Sequence, residues 1–136
     1  MADLTEMEQR VLAELEEFWK ENVFAMLNTI IDPTGKDQEV GMLEEALRGL
    51  VERDFIVMGS EGFLPGNPEK LAKIDSLQLL SDLKDWFKFG SQDPHWTLSK
   101  GDIKNERIPM IFSTAAGRQK AAEILMQRGY QWWRPK

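Results

Sequence analysis

The residue types that carry most enzyme chemistry are scarce in this sequence. It contains no cysteine and one histidine, His95, which excludes disulfides, thiolate zinc sites and cysteine nucleophiles. His95 stands between Pro94 and Trp96, which favours a packed or capping side chain over a catalytic one. Asp82 and Asp85 share a helix face without an acid partner, and no phosphate loop, GxSxG or dinucleotide turn is present. We therefore expect a non-catalytic protein without a cofactor or metal.

Charge is divided unevenly along this acidic chain, whose net charge is −6. Residues 1–66 hold 15 acidic and 5 basic side chains, and residues 67–136 hold 8 acidic and 12 basic ones. The division suggests two faces with different partners, or one half lying against the other, although chance surface composition gives the same pattern. Glutamates that could attract a basic partner, or simply be solvated, are Glu14, Glu17 and Glu21 in the first helix and Glu44, Glu45 and Glu52 in the third.

Basic side chains gather near the C-terminus, where residues 95–136 hold 8 basic and 3 acidic residues. A polar link between two predicted strands carries several of them, and a basic hairpin tip of this kind could touch phosphates or a minor groove. Lysines that merely keep a turn soluble are the alternative. The candidate DNA contacts in this region are Lys100, Lys104, Arg107, Arg118 and Lys120.

Two adjacent tryptophans, Trp132 and Trp133, lie near the C-terminus and precede Arg134. In an extended tail they would point to opposite sides, so that one could anchor the tail while the other meets a partner. Tryptophan and arginine dominate interface hot spots. A tail folded onto its own domain explains the pair equally well.

Hydrophobic periodicity predicts three helices and a strand in the first half, over 4–21, 23–31, 38–53 and 54–58. Thr5 with Glu8 matches a capping box, and Asp3 with Glu6 is a rival cap. Residues 59–62 predict a hairpin loop with a return strand at 63–64. The inner face of the third helix is predicted to hold Leu43, Ala46, Leu47, Leu50 and Val51.

The second half is predicted to begin with a helix capped by Asn67 and started by Pro68, with a break at Asp75-Ser76. Strands follow over 95–99 and 108–113, joined as a hairpin by residues 100–107. Thr114 is the predicted cap of a last helix that Gly129 closes.

The order helix, helix, helix, strand, turn, strand resembles a winged helix-turn-helix. LRGLVERDFIV at 47–57 resembles the end of the third helix and the first wing strand of MarR- and PadR-like regulators, with Asp54 where those proteins often carry glycine. FSTAAGR at 112–118 looks like the step that opens the helix after their wing. This chain departs in its longer loop before the third helix and in the long segment between the two motifs, an insertion or a separate subdomain.

The resemblance implies an α+β fold in a single domain over 1–136. Residues 1–66 would form a winged-helix-like core of three helices plus a β-hairpin. Residues 67–136 would add a helix, a basic hairpin and a C-terminal helix packed on that core. The third helix would enter a major groove, with Lys36, Gln38 and Arg48 as contacts, although its outward glutamates have the wrong charge for DNA.

The favoured function is a non-catalytic transcriptional regulator that contacts double-stranded DNA through the basic hairpin and C-terminal half. The alternative is a protein–protein interaction module whose acidic N-terminal half binds a basic partner. Either protein could form a homodimer through the first helix or the C-terminal tail. We find no signal-peptide pattern and no membrane-spanning apolar run, which predicts a cytoplasmic protein.

Overall fold

A computed structural model describes residues 4–61, 68–90, 92, 94–98, 108–130 and 132–133, which form a mixed α+β fold. A short 3₁₀ helix, Leu83–Trp86, links the fourth helix to the fourth strand. In chain order the helices and strands are α1 (Glu6–Leu15), β1 (Lys20–Asn22), α2 (Val23–Ile30), α3 (Asp37–Glu52), β2 (Ile56–Glu61), β3 (Pro68–Lys70), α4 (Lys73–Ser81), β4 (Phe87–Gly90), β5 (His95–Leu98), β6 (Ile108–Ser113) and α5 (Ala115–Arg128).

Four of the strands form an antiparallel sheet in the order β1-β6-β2-β3. Ile111 of β6 lies opposite Glu21 on one side and Met58 on the other, and its side chain is fully buried. Strands β4 and β5 form a separate antiparallel pair, with Phe89 opposite Trp96. Since β6 follows more than a hundred residues of chain, the central sheet is completed only by a late segment.

Local sequence signals set several helix boundaries as predicted. The Thr5 hydroxyl oxygen accepts a hydrogen bond from the Glu8 N–H at 3.1 Å, and Glu8 Oε1 accepts one from the Thr5 N–H at 2.8 Å, so the Thr5 capping box is confirmed. Thr114 caps α5, and Gly129 ends it at a φ of 88°. The predicted inner stripe of α3 is confirmed as buried core.

The first helix is shorter than predicted and ends at Leu15 instead of residue 21. The chain leaves helical geometry at Trp19, which has a φ of 63°, and then enters β1. Pairing of β1 with β6 overrides the local helical pattern here, because a strand edge satisfies backbone groups that a helix end leaves open. Phe18 and Trp19 fall within the predicted helix range but lie beyond the end of α1, and they are 70% and 52% exposed.

The predicted hairpin loop at 59–62 is wrong, because its first three residues belong to strand β2. Strand β2 runs to Glu61, through residues predicted as a loop, and pairs with β6 and β3. The predicted return strand at 63–64 lies outside the described residues. Pro68 belongs to β3 and not to a helix, and the break in the following helix falls at Asp82 instead of Asp75-Ser76. Ser76 is buried in α4, where its Oγ accepts a hydrogen bond from the Met58 N–H at 3.0 Å.

The predicted basic hairpin between residues 95–99 and 108–113 is also wrong. Strand β5 pairs with β4, whereas β6 lies between β1 and β2. Strand β2 pairs with the whole of β6 and β1 pairs with Met110, Ile111 and Phe112 from the other side, so β6 is an inner strand of this sheet and β5 lies elsewhere. Lys100, Lys104 and Arg107, which were expected at the tip of that hairpin, lie outside the described residues.

The two halves, 1–66 and 67–136, contribute strands to the same sheet. Strand β6 of the second half pairs with β1 and β2 of the first. Helix α5 reaches α1 through Arg128, whose Nη1 lies 2.8 Å from a carboxylate oxygen of Glu6. Within the described residues, no helix has the length and apolar character needed to cross a membrane.

Candidate functional site

Helix α3 presents an acidic face to solvent. Its inner stripe turns into the core, which leaves the opposite side exposed. Three of the exposed side chains are carboxylates and none is basic. The exposed residues of α3 are Asp37, Gln38, Gly41, Met42, Glu45 and Glu52.

The arginines beside this face pair with carboxylates other than the exposed ones. Arg48 Nη2 lies 3.8 Å from Glu44 Oε2 and 3.5 Å from the Oγ of Ser81 on α4. Arg53 Nη1 lies 3.8 Å from Oε1 of the buried Glu8. No ion pair among the described residues involves the two exposed glutamates in the second half of α3, so their charge points to solvent.

A groove of about 440 Å³ runs between the start of α1 and this face of α3. Its apolar lining comes from Met7 of α1 and from Met42, Ala46 and Gly49 of α3. Met42 is 39% exposed although its side chain is apolar. The polar residues that line the groove are Thr5, Glu8, Glu45, Arg48, Glu52 and Arg53.

The N-terminal end of α3 is covered by the β4–β5 pair. Trp96 is only 4% exposed, and its Nε1–H donates to Glu39 Oε1 at 3.2 Å. The side chain of Asn28 holds the backbone of Trp96 on both sides, with the Trp96 N–H donating to Oδ1 at 2.7 Å and Nδ2 donating to the Trp96 carbonyl at 2.9 Å. Phe87 and Phe89 pack edge-on against Trp96, at centroid distances of 5.8 and 5.3 Å.

Glu39 is the buried acceptor at the centre of this arrangement. Its carboxylate accepts hydrogen bonds from the Thr34 N–H at 3.0 Å, the Thr34 hydroxyl at 2.9 Å and the Gly35 N–H at 3.0 Å, besides the Trp96 indole. Burial alone would raise the pKa of Glu39, but the donors at Thr34, Gly35 and Trp96 favour the ionised form and bring the pKa below its ordinary value. The acid therefore orders the loop before α3 and fixes the β4–β5 pair against it.

The predicted DNA contacts are divided between the two ends of α3. Lys36 and Gln38 are exposed at its N-terminal end. Arg118 and Lys120 lie on α5, whose capping residue Thr114 donates to the Asp54 carbonyl at 2.7 Å, just beyond the C-terminal end of α3. The 16 residues of α3 span about 24 Å, so these side chains do not converge on one patch.

The basic side chains of α5 also have partners of their own. The Arg118 guanidinium lies 4.5 Å from the centre of the Trp19 ring. Lys120 Nζ lies 3.5 Å from Glu123 Oε2. Such contacts reduce the positive charge that α5 offers to a phosphate backbone.

The predicted acidic flank of the first helix is not a single helix face. Glu14 lies on α1, but Glu17 follows the end of the helix and Glu21 lies in β1. Burial raises the pKa of Glu21, the Asn22 N–H lowers it, and the charge of Glu17 raises it further, with the net shift upward. The charge of Glu17 thus acts on Glu21 from the turn that follows α1.

The tryptophan pair folds back on the first two helices. The ring centroids of Trp132 and Trp133 are 4.7 Å apart in an edge-on contact, so the rings do not point to opposite sides. Trp132 Nε1–H donates to a Glu6 carboxylate oxygen at 3.3 Å, and Trp133 Nε1–H donates to the Thr29 carbonyl at 3.2 Å. Both rings are half-buried, which agrees with a tail folded onto its own domain.

Two features of this surface were missed from the sequence. Met42 lies one turn before Glu45 on the outer arc of α3, and helical spacing alone could have identified it. The bond between Glu39 and Trp96 joins residues 57 positions apart and has no local signal.

His95 lies opposite Gly90 in the β4–β5 pair, and no cluster of potential metal ligands occurs among the described residues.

Comparison with known proteins identifies no matching family model, no similar curated protein and no similar solved structure.

Proposed function

We propose that this chain is a non-catalytic protein-interaction module that binds a basic partner through the acidic outer face of α3. One observation supports it most directly. The exposed positions of α3 carry three carboxylates, Asp37, Glu45 and Glu52, whereas the basic residue of this helix, Arg48, lies 3.8 Å from Glu44 with about a third of its side chain exposed. A partner with lysines or arginines would meet complementary charge there, which speeds association and selects against acidic partners.

The same face argues against insertion of α3 into DNA. Affinity for DNA comes mainly from cations that neutralise phosphates, and the exposed charge on α3 has the opposite sign. The first turns of the helix, which would contact base edges, are also restricted, because Glu39 and Val40 are buried near Trp96. A basic polypeptide is the better fit to this surface.

The proposal includes a winged-helix-like core. In chain order the elements α1, β1, α2, α3, β2 and β6 give a helix, a strand, two helices and two antiparallel strands. Asp54 has a φ of 62°, a left-handed conformation that suits the glycine often found there in the proteins it resembles. In this interpretation β2 and β6 are the wing strands, and residues 62–107 are an insertion between them.

Transcriptional regulation through DNA is the second candidate, and the wing strands favour it. Ile108, the first residue of β6, lies opposite Glu61, the last residue of β2. In the sequence, the polar segment that carries Lys100, Lys104 and Arg107 immediately precedes Ile108. Phosphate contacts made by these three side chains would not require α3.

Binding of a lysine-rich peptide and of a random-sequence duplex DNA, measured by fluorescence anisotropy at low salt, separates the two candidates. We expect the peptide to bind and its affinity to fall with added salt. Combined Glu45→Gln and Glu52→Gln should weaken peptide binding by about 3- to 10-fold, since each exposed ion pair contributes about 0.2–1 kcal/mol.

The matched control is combined Glu69→Gln and Glu123→Gln, which makes the same change in net charge at exposed sites on β3 and α5. An equal loss of peptide binding in both double variants would show a general charge effect and contradict a site on α3. Strong duplex binding that disappears on Lys100→Glu, Lys104→Glu and Arg107→Glu would instead support the regulator.

A further inference from the structure

We propose that the partner segment is a basic amphipathic helix that lies along the groove between α1 and α3. This inference rests on the proposed function, since it names the form of the basic partner. The groove combines an apolar lining with two unpaired carboxylates in one place. An amphipathic helix offers the matching combination, an apolar stripe flanked by cations.

The lining of the groove suits an apolar side chain of variable shape. Met42 is partly exposed on α3, and Met7 faces it from α1 across the groove. Methionine side chains are flexible and polarizable, and they adapt to different apolar partners. A charged peptide without an apolar stripe would leave these two side chains in water.

The spacing of the carboxylates selects a helix over an extended chain. Glu45 and Glu52 lie seven residues apart on α3, about 10.5 Å along its axis. A helix packed alongside α3 repeats its face every seven residues, so cations at positions i and i+7 match both acids. An extended chain covers that distance in about three residues. Side chains three residues apart on a strand point to opposite faces, so only one of them could reach an acid on α3.

The cations in the groove do not cancel this match. Arg48 lies against Glu44, and Arg53 lies against Glu8. A side chain at Gly49 would strike the Glu8 carboxylate, so glycine at this position keeps Glu8 against α3 and within reach of Arg53. Glu45 and Glu52 remain as the acids available to an incoming cation.

The length of the groove also fits a short helix. The distance from Met42 to Glu52 along α3 is about 15 Å, which corresponds to about three turns of a partner helix. An isolated helix of about three turns is only marginally stable in water. The partner segment is therefore expected to gain helicity when it binds.

Two synthetic leucine–lysine peptides of identical composition test the inference with the full chain. One places leucine at helical spacing with lysines seven residues apart, and the other permutes the order so that no face is apolar. We expect the amphipathic peptide to bind about tenfold more tightly, and Met42→Ser to weaken it about 3- to 10-fold, because only that peptide buries the methionine. Circular dichroism should show added helicity on mixing.

Met126→Ser is the matched control, because Met126 is 89% exposed on α5 and should leave both affinities unchanged. Equal binding of the two peptides, with no effect of Met42→Ser on either, would overturn the helix-in-groove inference and leave the basic-partner proposal standing. Absence of binding by both peptides at low salt would instead remove the proposed function itself. Thermal unfolding of each variant confirms that the fold is intact, and combined Glu45→Gln and Glu52→Gln provides a second route to the same site.

Discussion

At the scale of single residues, Glu39 joins the loop before α3 to the β4–β5 pair. It is buried, and it accepts hydrogen bonds from Thr34, Gly35 and Trp96. Glu39→Gln keeps the shape but replaces one acceptor oxygen with a donor, so that at least one N–H loses its partner. We expect a loss of about 1.5–3 kcal/mol in the free energy of unfolding, measured by urea denaturation.

The control for this variant is Glu45→Gln, a change of the same type on the exposed face of α3. Exposed substitutions of this kind change stability by less than about 0.5 kcal/mol. Equal stabilities for the two variants would mean that the buried carboxylate contributes nothing beyond its shape.

The cost of Glu39→Gln should depend on pH. Folding lowers the pKa of Glu39, so the folded chain binds fewer protons there than the unfolded chain. This stabilisation is fully present above the unfolded pKa and is lost as pH falls through the folded pKa. The difference in unfolding free energy between wild type and variant should therefore narrow on acidification, and a difference that is constant with pH would contradict the assignment.

At the scale of elements, the contact between α5 and the start of β2 depends on a glycine. A Cβ at Gly117 would strike the Phe55 carbonyl oxygen. The Thr114 N–H donates a hydrogen bond to the same oxygen at 3.0 Å. The FSTAAGR segment is thus the point where α5 docks closely on the chain that follows α3.

Gly117→Ala should destabilise the protein by about 1–3 kcal/mol, because α5 must move away from Phe55 to make room. Gly41→Ala is the matched control, since Gly41 lies in α3 with no atom near its added Cβ. That change should stabilise the helix by about 0.5–1 kcal/mol through helix propensity alone. Thermal unfolding would measure the stability of the two variants relative to wild type. If both substitutions stabilised the protein, the close contact of Gly117 with Phe55 would be disproved.

Elements also differ in how far local sequence determined them. The inner stripe of α3 and the capping residues Thr5 and Thr114 were predicted correctly, since helical period and caps act within a few residues. The end of α1 was not, because pairing of β1 with β6 decides it from about ninety residues away.

At the scale of the whole molecule, the sheet depends on strands from both ends of the sequence. A fragment of residues 1–66 would contain β1 and β2 but lack β6, which lies between them. We expect this fragment to be unfolded by circular dichroism and by proton NMR dispersion, because its apolar surface would lose the strand that carries Ile111. A cooperative unfolding transition of the fragment would show that the first half is an independent core.

Interaction surfaces show the same division between local and distant causes. Helical spacing placed Glu45 and Glu52 on the outer arc of α3. The excess of acidic over basic residues in the first half indicated that the charge of this surface is negative. Arg48 pairs with Glu44 on the neighbouring turn of α3, and Arg53 pairs with Glu8 on α1. These pairs decide how much of the negative charge of α3 is left exposed to solvent. The expected basic hairpin failed for a similar reason, since strand pairing decided where β5 and β6 go.

The sequence by itself determined most of the helix-forming segments, the capping residues Thr5 and Thr114, the buried stripe of α3 and the acidic character of its outer side, because each depends on residues within one or two turns. Only the tertiary structure decided the strand order β1-β6-β2-β3 and the contact of Trp96 with Glu39, which places the β4–β5 pair against the start of α3. Alternating apolar strands have no unique partner in the sequence, since strands of similar pattern satisfy the same hydrogen-bonding edges. The choice among them is made when distant segments bury their apolar faces together.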